Sequence, residues 1–281
     1  MTPDTTTEVR AGAPAPARKA RAARWTRGLS GIAVFLLLAQ AFGWSGIVSQ
    51  SALPLMSTVL AKAAGLVVNT QFLTDFGATV EAWALGLLIT VIVGVPCGLV
   101  LGSLPGVRVA TRAIVEFLRP IPSVSIIPLV TLVLGAGLRM TLTLIVYAAI
   151  WPVLFNTIYG LDDVDPLAKE TLRAFGFSPL GVVRHVSLPS AAPFIATGIR
   201  LASSIAIILG IGTGYLTGRI NGNGIGSYIV DQYNGAASDA IALVLAATFW
   251  TGILGLTLNS LLVWAERRLF RWHHAYTGEL T

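Results

Sequence analysis

Charge is what this sequence has least of: 11% of its 281 residues are Asp, Glu, Lys or Arg, against roughly 25% in an ordinary soluble domain. That shortage excludes a soluble enzyme. Cysteine is almost missing as well, Cys97 standing alone, so neither a disulfide framework nor a Cys-rich metal site can be built. Lysine occurs only as Lys19, Lys62 and Lys169, preceded by Arg, Ala and Ala. A phosphate-binding loop needs Gly-Lys followed by Ser or Thr, so no nucleotide site is encoded. The only histidines, His185, His273 and His274, fall in segments expected to be cytoplasmic. Ser30 of Gly28-Leu29-Ser30-Gly31 then lacks a base, against an intramembrane hydrolase. His185 reads as a loop residue making a structural hydrogen bond.

Apolar residues are abundant, 54% of the chain with mean hydropathy +0.76, and they are gathered into runs. A spanning helix needs about 20 such residues. Five uncharged candidates are Gly31 to Val48, Ala82 to Leu104, Met140 to Gly160, Leu201 to Gly218 and Ala240 to Ala265. A sixth, Ala113 to Gly137, is interrupted by Glu116, Arg119, Pro120, Pro122 and Pro128. Proline removes a backbone donor and pushes its predecessor out of helix, so this span is expected to be broken and turned inward. Glu116 lies one turn from Arg119, and a local ion pair between them is expected. The reading is an all-α, six-span membrane protein.

Orientation follows from basic residues in the loops. Fourteen lie before span one, after spans two and four, and after the last; only Lys62, Arg139 and Arg219 lie in the opposite loops. Both termini are therefore expected in the cytoplasm, and the net charge of +6 is topological, with no basic stripe for nucleic acid. Trp25, Trp44, Trp83, Trp264 and Trp272 lie at or near the expected span ends, as an interfacial belt would place them. Residues 1–29 read as a disordered basic tail, 30–50 as the first span and 51–81 as an outward segment with a short amphipathic helix between Leu55 and Val68. Residues 82–268 form the main membrane domain, and 269–281 a cytoplasmic tail. A signal peptide cleaved after Ala39-Gln40-Ala41 is the other reading of the start, although the apolar run continues to Val48.

The loop at 161–193 is long and carries its own structure. Asp165-Pro166 is an N-cap with proline at the first helical position, and Leu167, Leu172 and Phe175 can share an apolar flank. Gly176 ends that helix. Ser178-Pro179 starts a second one running to Val186, which Pro189 is expected to stop. Two short helices on a glycine turn make a knob suited to another protein's groove, or an amphipathic hairpin on the lipid surface.

Glu170, Gly176, Val186, Leu188 and Pro189 fall at E-x5-G-x9-(I/V)-x-L-P. This resembles the EAA loop of the permease subunits of bacterial ABC importers. Leu118 to Pro122, Ile127-Pro128, Trp151 to Thr157, Asp165 and Gly198-Ile199-Arg200 are similar to the nitrate, sulfonate and taurine group. The resemblance covers roughly residues 80 to 268. It implies a type I importer permease of the MetI-like fold in a bacterial cell membrane. Its implied partners are a separate ABC ATPase subunit, an extracytoplasmic solute-binding protein and a second permease copy. The ATPase-coupling loop would comprise Glu170, Thr171, Leu172, Gly176, Phe177, Ser178, Leu188 and Pro189. Thr171 and Leu172 replace the two alanines usual after the glutamate.

No catalytic residue, cofactor or metal site is expected. An ion-coupled secondary transporter is the alternative, weakened because Glu116 is the one carboxylate well inside a span and no second broken helix matches the first. Candidate pathway residues are Asn156, Ser203, Ser204, Thr213 and Asn259, each of which could equally bond a neighbouring helix. Gly94, Gly98 and Gly102 give one bare helical face, expected to be a close helix contact. Gly210-Ile211-Gly212-Thr213-Gly214 is read chiefly as packing, or as a widened cavity. Arg200 is expected to reach loop carbonyls or carboxylates by snorkelling.

Overall fold

A computed structural model describes residues 17–49, 52–218, 224–235 and 239–270, without the side chains of 17–25 and 29. The described residues are helical and contain no strand. They divide into two compact units, Met1–Leu60 and Ala61–Thr281.

In the first unit, α1 spans Ala17–Trp44 and α2 starts at Met56. Helix thus begins within the expected tail. Phe35, Leu37 and Leu38 of α1 are exposed, as in a lipid-facing span. The turn between the helices closes where the Ser57 amide donates to Gln40 Oε1 at 2.9 Å.

In the second unit, α2 ends at Leu66 and Asn69 caps α3 (Thr70–Ser103), its Oδ1 accepting from the Phe72 amide at 2.9 Å. At 34 residues α3 is roughly 51 Å long and outreaches a hydrocarbon core of about 30 Å. Its early start puts Trp83 well inside a helix. There Nε1 donates to Ser203 Oγ at 3.0 Å, so Trp83 is a packing residue and not part of an interfacial belt. Trp44 and Trp264 are exposed near helix ends; the Trp25 side chain and Trp272 lie outside the described residues.

The interrupted span is broken where the prolines require it. Helix α4 (Pro105–Leu118) and the segment Ser123–Leu134, a 3-10 turn continuing into α5 (Ile127–Leu134), meet at 77°. A helix end leaves carbonyls unpaired, and Tyr147 Oη donates to the Leu118 carbonyl at 2.9 Å. The expected Glu116–Arg119 pair is not made. Arg112 Nε donates to Glu116 Oε1 at 2.7 Å across one turn, whereas the Arg119 guanidinium lies 4.6 Å from the Phe155 ring centroid. Glu116 is taken by Arg112 one turn earlier, and Arg119, the C-cap of α4, turns to the Phe155 ring.

Helix α6 (Leu138–Asp162) is the central element. Ile145, Ala149 and Val153 pack with Leu87 of α3 and Ala202, Ala206 and Leu209 of α9 (Leu188–Thr217) in one buried cluster. The glycine face of α3 meets α6: a Cβ on Gly98 would stand 2.6 Å from Thr157 Cβ, and one on Gly94 3.1 Å from Val153 Cγ1. The contact lies within one chain. On the other side of α6, a Cβ on Gly198 would come within 2.8 Å of the Pro152 carbonyl oxygen.

Pro189 does not end the second loop helix. α8 (Pro179–Val182) passes through a π-helical turn, Val183–Ser187, into α9 (Leu188–Thr217). Leu188 N–H bonds back to the Val183 carbonyl, one residue further than in an α-helix. The widened turn absorbs both the missing proline donor and the ring's clash with the preceding turn. Arg200 consequently lies well inside α9, and its partner is Glu266 of α11 (Ala240–Leu269) at 3.2 Å, not the loop. Between α9 and α11, α10 (Ile225–Asn234) folds back against the bundle.

Candidate functional site

Two features gather the polar and exposed groups at opposite ends of the second unit. At one end stands the loop knob. Asp165 Oδ1 accepts from the Leu167 amide at 2.9 Å and opens α7 (Pro166–Ala174). Its exit is a Schellman turn: the Phe177 amide reaches the Leu172 carbonyl at 3.1 Å, the Gly176 amide reaches Arg173 at 3.0 Å, and Gly176 has φ +81°. Ser178 Oγ accepts from the Gly181 amide at 3.2 Å and opens α8.

The knob is fastened to the bundle by few groups. Lys169 Nζ donates to the Leu161 carbonyl at 3.0 Å. Val182 is buried, and Leu188 packs on Leu161, Ala191 and Ile195. His185 Nδ1 donates to the Gly181 carbonyl at 2.8 Å while its ring meets Phe177 edge-on at 5.6 Å, the structural role expected of it. Glu170, Thr171, Phe177, Ser178 and Pro189 are exposed and Leu172 is half-buried. Leu167, Phe175 and Leu180 are 67%, 79% and 77% exposed. An apolar crest held on capped turns has surface to bury against a partner.

At the other end lies a cavity of about 210 Å³ between α3, α6, α9 and α10. Its polar lining is Thr79, Glu81, Thr141, Thr213, Thr217 and Ser227. Four hydroxyl protons are already directed to backbone carbonyls: Thr79 to Asp75, Thr213 to Leu209, Thr217 to Thr213, and Ser227 to Gly218. Thr141 and Thr213 also share a hydrogen bond at 3.1 Å, and among the described residues the lining carries one carboxylate and no lysine or arginine.

α10 is fixed over this space by α3. Asp75 Oδ1 accepts from the Gly224 amide at 3.2 Å and Thr79 Oγ1 from the Ile225 amide at 2.9 Å, so the first donors of α10 are satisfied in trans. A Cβ on Gly226 would collide with the Ile211 carbonyl, and one on Gly214 would stand 3.0 Å from the Ser227 amide. Gly210 and Gly212 meet nothing within 4 Å. Within the glycine run, Gly214 is a packing residue while Gly210 widens the cavity.

Of the five candidate pathway residues, the structure brings Thr213 to the cavity. Asn156 Nδ2 donates to the Pro152 carbonyl of its own helix at 2.8 Å, and Ser203 is buried as the acceptor of Trp83. Ser204 Oγ bonds the Arg200 carbonyl at 3.4 Å on an exposed face, and Asn259 is exposed. Sequence reading missed Thr79 and Glu81 because α3 begins twelve residues before the expected span. Thr213 and Thr217, one helical turn apart, were the legible signal.

Residues 86–271 match the family described as binding-protein-dependent transport system inner membrane component. Among curated relatives, the chain is 29% identical to the protein named aliphatic sulfonates transport permease SsuC of Bacillus subtilis, over 90% of each chain. It is 28% identical to the choline transport system permease OpuBD of the same organism, over 72% of this chain and 86% of that one. Of solved structures, an ABC transporter that imports alginate superposes with TM-score 0.59 at 16% identity, covering 88% of this chain and 99% of that one. The MetNI methionine ABC transporter gives 0.53 at 22% identity, covering 69% and 92%. The all-helical fold is thus that of an ABC importer permease, and the chain belongs to the binding-protein-dependent transport system inner membrane component family.

Proposed function

We propose that the α7–α8 knob is the seat of a separate ATPase subunit and that two copies of this chain enclose the pathway. The carrying observation is the crest of Leu167, Phe175 and Leu180, exposed yet held by two side-chain caps and a Schellman turn. In this reading the knob and both termini face the cytoplasm of a bacterial cell, as the basic-residue count supports. A solute-binding protein delivers cargo at the α10 end. With no phosphate-binding loop of its own, the subunit moves solute uphill only because the ATPase favours one of its two states over the other.

The cargo is a small polar solute with an ammonium group, of the taurine sort. Glu81 supports this, as the one charged group on the lining among the described residues. The relatives named for sulfonates and for choline span both charges, so the lining is the more direct guide.

The test is uptake into vesicles holding this chain alone, or with its ATPase and binding protein. The full set accumulates solute with ATP, and the chain alone accumulates none from a proton or sodium gradient. Glu170→Arg lowers ATPase association while leaving the spans inserted, and Glu81→Gln lowers uptake of the amine-bearing solute. Gradient-driven accumulation by the chain alone, indifferent to Glu170, overturns the reading in favour of an ion-coupled transporter.

A further inference from the structure

Between α4 and α6, at the knob end, lies a hollow of about 330 Å³ bordered by Arg108, Arg112, Arg119, Glu116, Phe155 and Tyr159. It adjoins a second, of about 450 Å³, walled by Pro96, Cys97, Ile114, Ile150 and Trp151. Leu101, Thr111, Val115 and Leu154 border both. The second hollow is apolar, and the hydroxyl of Thr111 is turned away to the Val107 carbonyl at 2.8 Å. Together they make a basic head leading into an apolar trough.

Charge bookkeeping narrows the occupant. Arg108 is paired with Asp162 at 3.1 Å to both carboxylate oxygens, and Arg112 with Glu116. Arg119 has no carboxylate partner among the described residues and rests on the Phe155 ring. Three guanidiniums against two carboxylates leave one positive charge, at the mouth of an apolar trough. That matches a head group carrying a single negative phosphodiester and a hydrocarbon chain. Basic pockets beside spanning helices recognise anionic lipid heads by this combination.

We propose that this hollow is a binding site for an anionic phospholipid, its phosphate on Arg119 and one acyl chain in the trough along Leu101 and Leu154. The proposal rests on the membrane-spanning reading and is independent of the cargo. A resident lipid would brace the 77° break between α4 and α5, where Arg119 begins the connecting segment.

Cys97, the only cysteine, borders the trough and is a native reporter. The full chain with its ATPase is placed in phosphatidylcholine nanodiscs with or without phosphatidylglycerol, and the rate of Cys97 alkylation by an apolar maleimide is measured. Phosphatidylglycerol should slow the reaction roughly fivefold. Arg119→Gln should abolish that protection, Arg119→Lys should keep most of it, and Arg139→Gln, at the other end of the bundle, should leave it unchanged. Equal rates in both lipids overturn the proposal. So does protection in both, which would place a protein element over the trough, and so does equal protection by glycerol phosphate in phosphatidylcholine discs, which would make this a soluble-anion site.

Discussion

Arg200 in α9 donates to Glu266 near the end of α11 at 3.2 Å, with side chains 35% and 20% exposed. The pair ties two long helices that share no short connection. Arg200→Ala leaves a carboxylate partly buried without its donor, and a loss of about 1.5–3 kcal/mol is expected, toward the lower end because solvent still reaches both groups. Thermal unfolding in detergent measures it. The exchange Arg200→Glu with Glu266→Arg should recover part of the loss, and no recovery would show that something other than this pair is being read.

Gly198 and Gly212 offer a paired packing test in one helix. A methyl on Gly198 meets the Pro152 carbonyl, which is backbone and cannot rotate aside; one on Gly212 meets nothing within 4 Å. Gly198→Ala should cost roughly 1–3 kcal/mol by overpacking, and Gly212→Ala should be neutral or slightly stabilising. Comparable melting temperatures for the two variants would refute the close α6–α9 approach.

Gly176 stands at φ +81°, and its Cβ would meet nothing, so the cost of replacing it is conformational alone. Gly176→Val should strain the turn by about 1–2 kcal/mol, leave the spans inserted and lower ATP-driven uptake. Wild-type uptake with unchanged ATPase association would remove the turn from the coupling path.

Asp239, just before α11, accepts from Lys62 near the end of α2, and this hydrogen bond holds its carboxyl below the ordinary carboxylate range. A depressed carboxyl contributes stability that is complete above its unfolded value of about 3.9 and fades as pH falls from there through the folded value. Asp239→Asn should therefore lower stability at neutral pH, flatten the acid limb of the profile, and differ little from the unaltered chain below the folded value. An unchanged acid limb would mean that the pair carries no linkage.

What the sequence determined by itself is local. Asp165-Pro166 and Ser178-Pro179 before helices, Gly176 after one, and Pro120 and Pro122 in a span each act through their own few residues and are found where they were read; the apolar runs give the helices but not their starts, α3 and α9 beginning well before the expected spans. The glycine face of α3 was legible as a contact because its spacing is that of one helical face. What faced it was not, and the structure supplies Thr157 and Val153 of α6. Tertiary structure alone decided which distant neighbour a polar group finds: Glu266 for Arg200, Ser203 for Trp83. It also decided that Pro189 is carried through a π turn and that Gly210 opens a cavity while Gly214 closes on α10. Periodicity fixes the face a residue occupies on its own helix; the partner across that face depends on how helices distant in sequence are rotated against one another.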